Sequence, residues 1–491
     1  MRDHIQFYLG DQHYRLSDIT PETTVLDWLR EACHRTGTKE GCNEGDCGAC
    51  TVLVVRLENN QLTWKAVNAC IQFLWMLDGT QLFTVEDLRS PDGVLHPVQQ
   101  AMVDLHGSQC GFCTPGFVMS MVAYSKKAEA SAKETDINDA LAGNLCRCTG
   151  YAPIVKAMKQ ALLAPHDKFE QEQSKIITRL TALQNADMAE INTPRGSISL
   201  PRTADELASA YQNAPNATLV AGATDVGLWV TKRLQTLPHV ISVSGAQDLK
   251  KIEHRPDGLW IGAATPYAEA QKDITTLFPD AGEVIRRIGS AQVRNVGTVC
   301  GNIGNGSPIG DGPPLFIAAG ATLHLRRGET RRALPLENYF LAYGQQDRQE
   351  GEFIEGILIP YPEPNLRYRA YKVSKRFDQD ISAILGVFAF TMDGNGVITK
   401  ARIAFGGMAA TPKRASVTEA ALVGKRWDEH ALSAAREAIQ VDFAPLSDMR
   451  GSEWYRRTVA ANLLTRCFAE TTKMPQQPET RLAGWKEDVH G

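Results

Sequence analysis

Eight of the eleven cysteines fall into two groups with the spacing of thiolate metal sites. Cys42, Cys47 and Cys50 read C-x4-C-x2-C, with Cys70 as a lone fourth member, the pattern of a plant-type [2Fe–2S] cluster. The run GCNEGDCGAC (41–50) sets glycines between these thiols. They let backbone N–H groups turn inward to hydrogen-bond sulfur and tune its potential. Zinc sites commonly pair two short C-x2-4-C knuckles; three close ligands and a distant fourth depart from that format. The second group is Cys110 and Cys113, then Cys146 and Cys148, in QCGFCTPG (109–116) and NLCRCTGY (144–151). Its spacing alone fits iron–sulfur and zinc equally. The neighbouring first site favours iron–sulfur, and two one-electron centres on one chain imply an electron relay. Cys33 and Cys467 lie on apolar helical stripes and read as packing residues.

These ligands need elements to position them. Residues 4–17 read as two short strands around a turn, Val25 to Cys33 as a helical stripe, and 51–57 (TVLVVRL) as a strand. With the cysteine loop between helix and strand, 1–88 is expected to be a β-grasp, ferredoxin-like domain. Residues 89–164 turn helical, with helices expected at 96–106, 116–127, 137–145 and 154–163. Pro115 and Pro153 follow cysteines at helix starts, so the second four ligands should lie in two loops at helix N-termini. A polar linker over 165–195, with room for one helix, precedes an α/β domain at 196–366 with glycine-rich loops. A C-terminal α+β domain is expected at 367–472 and a polar tail at 473–491. The fold class is therefore multidomain α+β, and no internal repeat is visible.

Composition narrows the function. The 491 residues need several domains. A formal net charge of −4 leaves no basic footprint for nucleic acid. No apolar run reaches membrane-spanning length, and MRDHIQFYLG lacks a secretory apolar region. A cytoplasmic, reducing location is the expectation, where clustered cysteines are metal ligands or redox groups rather than structural disulfides.

Two glycine-rich stretches in the third region have the chemistry of a pyrophosphate cradle. LVAGATDVG (219–227) and QVRNVGTVCGNIGNGSPIGD (292–311) offer close backbone approach at glycines such as 222, 297 and 301, with short donors at Thr224, Thr298 and Asn302. Neither is a G-x-G-x-x-G fingerprint, and each alone is better explained as a glycine-rich surface turn.

Together the motifs carry a resemblance. The cysteine blocks resemble the signature blocks of the molybdenum hydroxylases, the xanthine dehydrogenase and aldehyde oxidase family. The two glycine-rich stretches are similar to its two FAD loops. The likeness runs from residue 1 to about 470 and resembles that family's iron–sulfur and FAD part, without a molybdopterin region. It implies two [2Fe–2S] clusters on Cys42, Cys47, Cys50 and Cys70 and on Cys110, Cys113, Cys146 and Cys148. It also implies an FAD held by Leu219, Val220, Ala221, Gly222, Ala223, Thr224, Asp225 and Val226, by Thr298, Asn302 and Asp311, and by Ile288, Ile354 and Lys372. Ile288 stands where animal relatives often carry an aromatic residue, and Cys300 where the family often has glycine. The segment Arg376 to Asp380 resembles the loop over the isoalloxazine face, which in the family governs access of NAD⁺ or O₂.

The expected function is the electron-transfer half of a xanthine dehydrogenase. Electrons from a molybdenum cofactor on a partner subunit would reach FAD and then NAD⁺, in a heterotetramer of two small and two large subunits. No residue of this chain is expected to act as general acid or base. The alternatives are the same part of another molybdenum hydroxylase, acting on an aldehyde or N-heterocycle, a stand-alone electron carrier, and a zinc-stabilised interaction module.

Overall fold

The strand expected over 51–57 is Thr51–Glu58 in the computed structural model, which describes residues 1–164, 167–184 and 187–472. Its run of Val and Leu is continuous rather than alternating because both faces are covered. Val52 and Val54 pack with Phe7, Trp28 and Leu74 on one side. Leu53 and Val55 pack with Phe117 and Met121 of the helical region on the other. This strand lies inside a five-stranded mixed sheet ordered Gln12–Leu16, Ile5–Leu9, Gln81–Phe83, Thr51–Glu58, Gln61–Asn68. The helical stripe is a turn at Val25–Asp27 running into a π-helical turn at Trp28–Ala32. Thr24 caps it, its Oγ1 accepting from the Asp27 amide at 3.1 Å.

Four helices follow: Pro97–Asp104, Thr114–Ser125, Glu134–Leu141 and Ala152–Ala161. Pro97, Pro115 and Pro153 each sit in a first turn, where a missing N–H leaves no carbonyl unpaired. The expected helix 137–145 starts earlier, at Glu134, and ends at Leu141, so Gly143 and Asn144 are free to form the approach to Cys146.

The linker stretch behaves differently from its polar composition. Two helices, Lys168–Gln171 and Gln173–Leu183, lie on the sheet and bury Phe169, Ile176, Leu180 and Leu183 in the same core as Phe83 and Phe117. Ile176, Leu180 and Leu183 form an i, i+4, i+7 stripe that charged neighbours hide in the composition. The strand Ala189–Thr193, also within the expected linker, pairs antiparallel with Gly196–Leu200 and opens the next sheet.

That sheet has four strands, ordered Ala189–Thr193, Gly196–Leu200, His239–Ser242, Thr218–Val220, the last three mutually parallel. A five-stranded antiparallel sheet follows, ordered Ile252–Arg255, Gly258–Gly262, Phe353–Ile359, Thr322–Arg327, Thr330–Pro335. The C-terminal region is a meander of Leu366–Val373, Ile384–Met392, Ile398–Gly406 and Lys413–Arg414. Helices Ser416–Leu422, Glu429–Asp442 and Glu453–Thr471 pack on one face around Phe388, Phe405 and Trp427. On the other face Leu385, Val387 and Ala389 join the core of the preceding region with Leu315 and Phe316. The tail expected at 473–491 lies outside the described residues. Among the described residues no helix is long and apolar enough to cross a membrane.

Candidate functional site

The first four cysteines converge between the turn at Trp28–Ala32 and the strand Thr51–Glu58. Cys50 and Cys70 are buried, and Cys42 and Cys47 are half-buried. The thiols touch one another: those of Cys47 and Cys70 hydrogen-bond to Cys42 and hold it below the ordinary thiol range. Cys47 and Cys70 are pushed up, first by sharing those bonds and then by burial. Backbone amides aim at sulfur as expected for a cluster loop. The amides of Asp46 and Cys47 donate to Cys42 Sγ at 3.4 and 3.3 Å, and the Cys42 amide donates to Cys47 Sγ at 3.3 Å.

The second four gather at the N-termini of two helices. Cys113 immediately precedes Thr114–Ser125, and Cys146 and Cys148 precede Ala152–Ala161. Cys110 and Cys148 are exposed and paired with each other, while Cys113 and Cys146 are half-buried and in contact. Burial, with Cys146 beside it, pushes the Cys113 thiol up to about 12. Phe112 and Tyr151, 48 % and 40 % exposed, leave an apolar rim around this group. Thiolates are the ligands iron–sulfur clusters use, and both quartets supply four. Among the described residues no three Cys, His, Asp or Glu side chains are placed closely enough to hold one metal ion between them.

The two quartets meet at one point. The Leu145 amide, next to Cys146, donates to the carbonyl of Cys47 at 3.0 Å. A Cβ on Gly48, whose φ is +69°, would stand 2.1 Å from the carbonyl oxygen of Gly143, so only glycine allows this approach.

The glycine-rich stretches form a cradle in the third region. LVAGATDVG runs from the end of the strand Thr218–Val220 into the helix Val226–Thr231. Among the described residues no carbonyl or side chain accepts from the amides of Gly222, Ala223, Thr224 or Asp225. Four consecutive free donors suit an anion such as a pyrophosphate. Ala223 is buried with φ +59°, a strained conformation for a residue with a Cβ and one concentrated at ligand-holding turns. The second stretch closes on the first: a Cβ on Gly222 would lie 2.0 Å from the carbonyl oxygen of Val296. Thr298 caps the helix Val299–Asn305 by accepting from the Gly301 amide at 2.9 Å. Asn302 accepts at Oδ1 from the Tyr267 hydroxyl at 3.0 Å. Burial, reinforced by the fields of Asp311 and Cys300, pushes the Tyr267 hydroxyl far up and keeps it a donor. The side chain of Asp225 is occupied by Trp229, whose Nε1 donates to it at 2.9 Å.

Asp311 and Lys372, far apart in sequence, form a buried ion pair with Nζ–Oδ2 of 2.5 Å. Ser382, which sequence reasoning missed, completes it by donating to Asp311 Oδ1 at 2.6 Å and contacting Lys372 Nζ at 3.0 Å. No local pattern pointed to Ser382, since all three meet only through the C-terminal sheet. Ile354 stands beside the second loop, 3.4 Å from the Cβ direction of Gly304. Ile288 packs on the region's core. Its neighbour Arg287 reaches the Phe377 carbonyl at 2.8 Å and lies 4.2 Å over the Phe377 ring. The segment Arg376 to Asp380 is thus tied to the cradle's rim. Arg376 also reaches Asp46 of the first cysteine loop at 3.5 Å.

Donor set and cradle define an iron–sulfur flavoprotein fold, and the comparisons with known proteins agree domain by domain. Residues 8–73 match the 2Fe-2S iron-sulfur cluster binding domain and 84–159 the [2Fe-2S] binding domain. Residues 193–362 match the FAD binding domain in molybdopterin dehydrogenase, and 369–471 the CO dehydrogenase flavoprotein C-terminal domain. These four domains match the small, iron–sulfur and FAD subunit of the molybdenum hydroxylase family. It is 30 % identical to the xanthine dehydrogenase of Oryza sativa over 98 % of its own length and 40 % of that protein. It is also 30 % identical to xanthine dehydrogenase 1 of Arabidopsis thaliana over 90 % of its length and 38 % of that protein. The chain thus spans about two fifths of these curated relatives. Among solved structures, a chain of carbon monoxide dehydrogenase from Hydrogenophaga pseudoflava aligns with 56 % of this chain and 96 % of its own, at TM-score 0.53 and 26 % identity. A chain of quinoline 2-oxidoreductase from Pseudomonas putida 86 shares the fold, at TM-score 0.52 and 22 % identity over 57 % of this chain and 98 % of its own.

Proposed function

We propose that this chain is the electron-transfer part of a cytoplasmic xanthine dehydrogenase. It would work with a molybdopterin-binding large subunit, in a heterotetramer of two small and two large subunits, with NAD⁺ as final acceptor. When bound, two [2Fe–2S] clusters supply one-electron transfer and FAD supplies the exchange of single electrons for a hydride. Cys42, Cys47, Cys50 and Cys70 would hold one cluster, and Cys110, Cys113, Cys146 and Cys148 the other. The free amides of 222–225, with Thr298 and Asn302, would hold the FAD phosphates, leaving Leu219 to Ala221 and Val226 to flank them. Asp311 and Lys372 would place a fixed charge pair beside the flavin, with Ile354 as an apolar wall and Ile288 at its margin.

The observation carrying this reading is the contact between the quartets, since the Leu145–Cys47 hydrogen bond sets them side by side in one chain. The outer quartet, with exposed Cys110 and Cys148 and the rim of Phe112 and Tyr151, is where the partner would dock. The test is metal and flavin analysis of the purified chain, with xanthine-dependent NAD⁺ reduction by the complex. About four irons and one FAD per chain are expected for two [2Fe–2S] clusters; zinc, or half that iron, would sink the reading. The likeness to carbon monoxide dehydrogenase favours a second reading, the same part of another molybdenum hydroxylase. Turnover of an aldehyde or N-heterocycle in place of xanthine would select it.

A further inference from the structure

Gln292 opens the second flavin loop, on the short helix Ala291–Arg294, yet its side chain points away from the cradle into the seam between the cysteine domains. It is 1 % exposed. Its Nε2 faces three oxygens: Thr51 Oγ1 at 3.2 Å, Ser120 Oγ at 3.1 Å and Asn144 Oδ1 at 3.1 Å. Thr51 follows Cys50, Ser120 lies on the helix that starts after Cys113, and Asn144 lies two residues before Cys146. One side chain from the flavin region therefore touches both cluster domains.

The bonds around it fix direction. The Thr51 hydroxyl donates to the Gly48 carbonyl at 2.6 Å and the Ser120 hydroxyl to Asn144 Oδ1 at 2.6 Å. Both hydroxyls are left with lone pairs for Gln292. Asn144 Nδ2 donates to the Gly48 carbonyl at 3.1 Å. Gly48 lies between two ligands of the inner quartet, so the network runs from Gln292 through Asn144 to that loop. It flanks the Leu145–Cys47 hydrogen bond between the quartets. Among the described residues Gln292 Oε1 has no partner; it faces Gly143, where a Cβ would stand 2.1 Å from it. An unsatisfied buried oxygen costs stability, so a side chain chosen for packing alone would not be an amide here.

The geometry points to Gln292 as a positioning residue that sets the separation and orientation of the two cluster loops and ties them to the flavin loop. A network that joins groups on three domains at once restricts their mutual arrangement. Electron exchange between the quartets then depends on a residue that binds neither cluster. This inference rests on the reading that each quartet holds a [2Fe–2S] cluster.

The test uses the full chain, loaded with iron–sulfur and FAD, as wild type, Gln292→Met and Ser120→Ala. Met keeps the volume and removes the donor; Ser120→Ala removes one acceptor and disturbs packing less. Dithionite-reduced samples are compared by EPR for the magnetic interaction between the clusters, and by laser-flash reduction for the rate of electron equilibration with the flavin. Gln292→Met is expected to retain iron and FAD, change the spin–spin splitting and slow equilibration with the flavin below the wild-type rate. Ser120→Ala should move both readouts the same way by less. Leu180→Ala, a cavity in the helix Gln173–Leu183, should lower thermal stability and leave the splitting unchanged. Wild-type splitting and rate in Gln292→Met, or in Ser120→Ala where Gln292→Met does not fold, would overturn the role of Gln292. A wild type lacking two reduced [2Fe–2S] signals would instead overturn the underlying function, whatever the variants do.

Discussion

The Leu145 amide donates to the Cys47 carbonyl at 3.0 Å, so a cysteine of one quartet and the neighbour of a cysteine in the other share one hydrogen bond. The approach leaves no room at Gly48. Its φ of +69° costs a non-glycine residue roughly 1–2 kcal/mol, and a Cβ there would collide with the Gly143 backbone. Gly48→Ala is expected to lower stability by about 3 kcal/mol or more once the collision is added, and to lose iron during purification. Gly79→Ala is the control, because φ is +73° but the space is open. Equal melting shifts and full iron retention in both variants would show that the contact between the quartets is not tight.

The Lys372–Asp311 pair is buried, with side chains 1 % and 7 % exposed. Removing one partner strands the other charge. Lys372→Met should therefore destabilise by about 3 kcal/mol or more, and lower FAD content while iron stays at the wild-type level. The double variant Lys372→Met with Asp311→Asn should recover part of the stability, since no lone carboxylate remains. A double variant no more stable than the single one would mean that Ser382 alone satisfies Asp311.

The eight cysteines were legible as two quartets because each lies in a short local motif, and TPG and YAP marked the helix starts beside them. The lateral partners were not legible. Asp311 meets Lys372 across 61 residues and Ser382 across 71, and Gln292 meets Asn144 across 148. Such pairings are set by how sheets pack, which leaves no local periodicity. The stretch 168–183 misled for another reason: its buried stripe of Phe169, Ile176, Leu180 and Leu183 is thin, and the charged residues between outnumber it.

Acid should loosen the attachment of that stretch. Asp167 caps Lys168–Gln171, accepting from the Phe169 amide at 2.9 Å, and also meets His96 Nε2 at 3.0 Å and Lys126. Burial pushes its carboxyl up, but the hydrogen bonds from His96 and Lys126 outweigh this and hold it well below the ordinary range. A carboxyl depressed in the folded state stabilises above its unfolded value, near 3.9, and that stability is lost as pH falls towards the folded value. Denaturant midpoints should therefore fall steeply below about pH 4 in wild type. Asp167→Asn should start about 3 kcal/mol lower at neutral pH and show a shallower acid slope. Parallel pH profiles for the two proteins would show that the carboxylate contributes nothing specific.

The last prediction separates the two ends of the proposed relay. Cys148 and Cys110 lie exposed on the outer face, whereas Cys50 and Cys70 are buried in one core with Ala223 of the first glycine-rich loop. If the partner docks on the outer face, Cys148→Ser damages the entry of electrons and leaves the exit intact. In the complex, xanthine-dependent NAD⁺ reduction should fall about 100-fold or more, as for a misplaced reacting group. Flavin reduction by NADH, followed by its visible absorbance, should keep its wild-type rate. Cys50→Ser is the contrasting variant: it too should block xanthine-to-NAD⁺ transfer, and because Cys50 is buried it should also lower stability. Loss of NADH-driven flavin reduction in Cys148→Ser to the same degree as xanthine turnover would place the outer quartet on the exit side and reverse the proposed order.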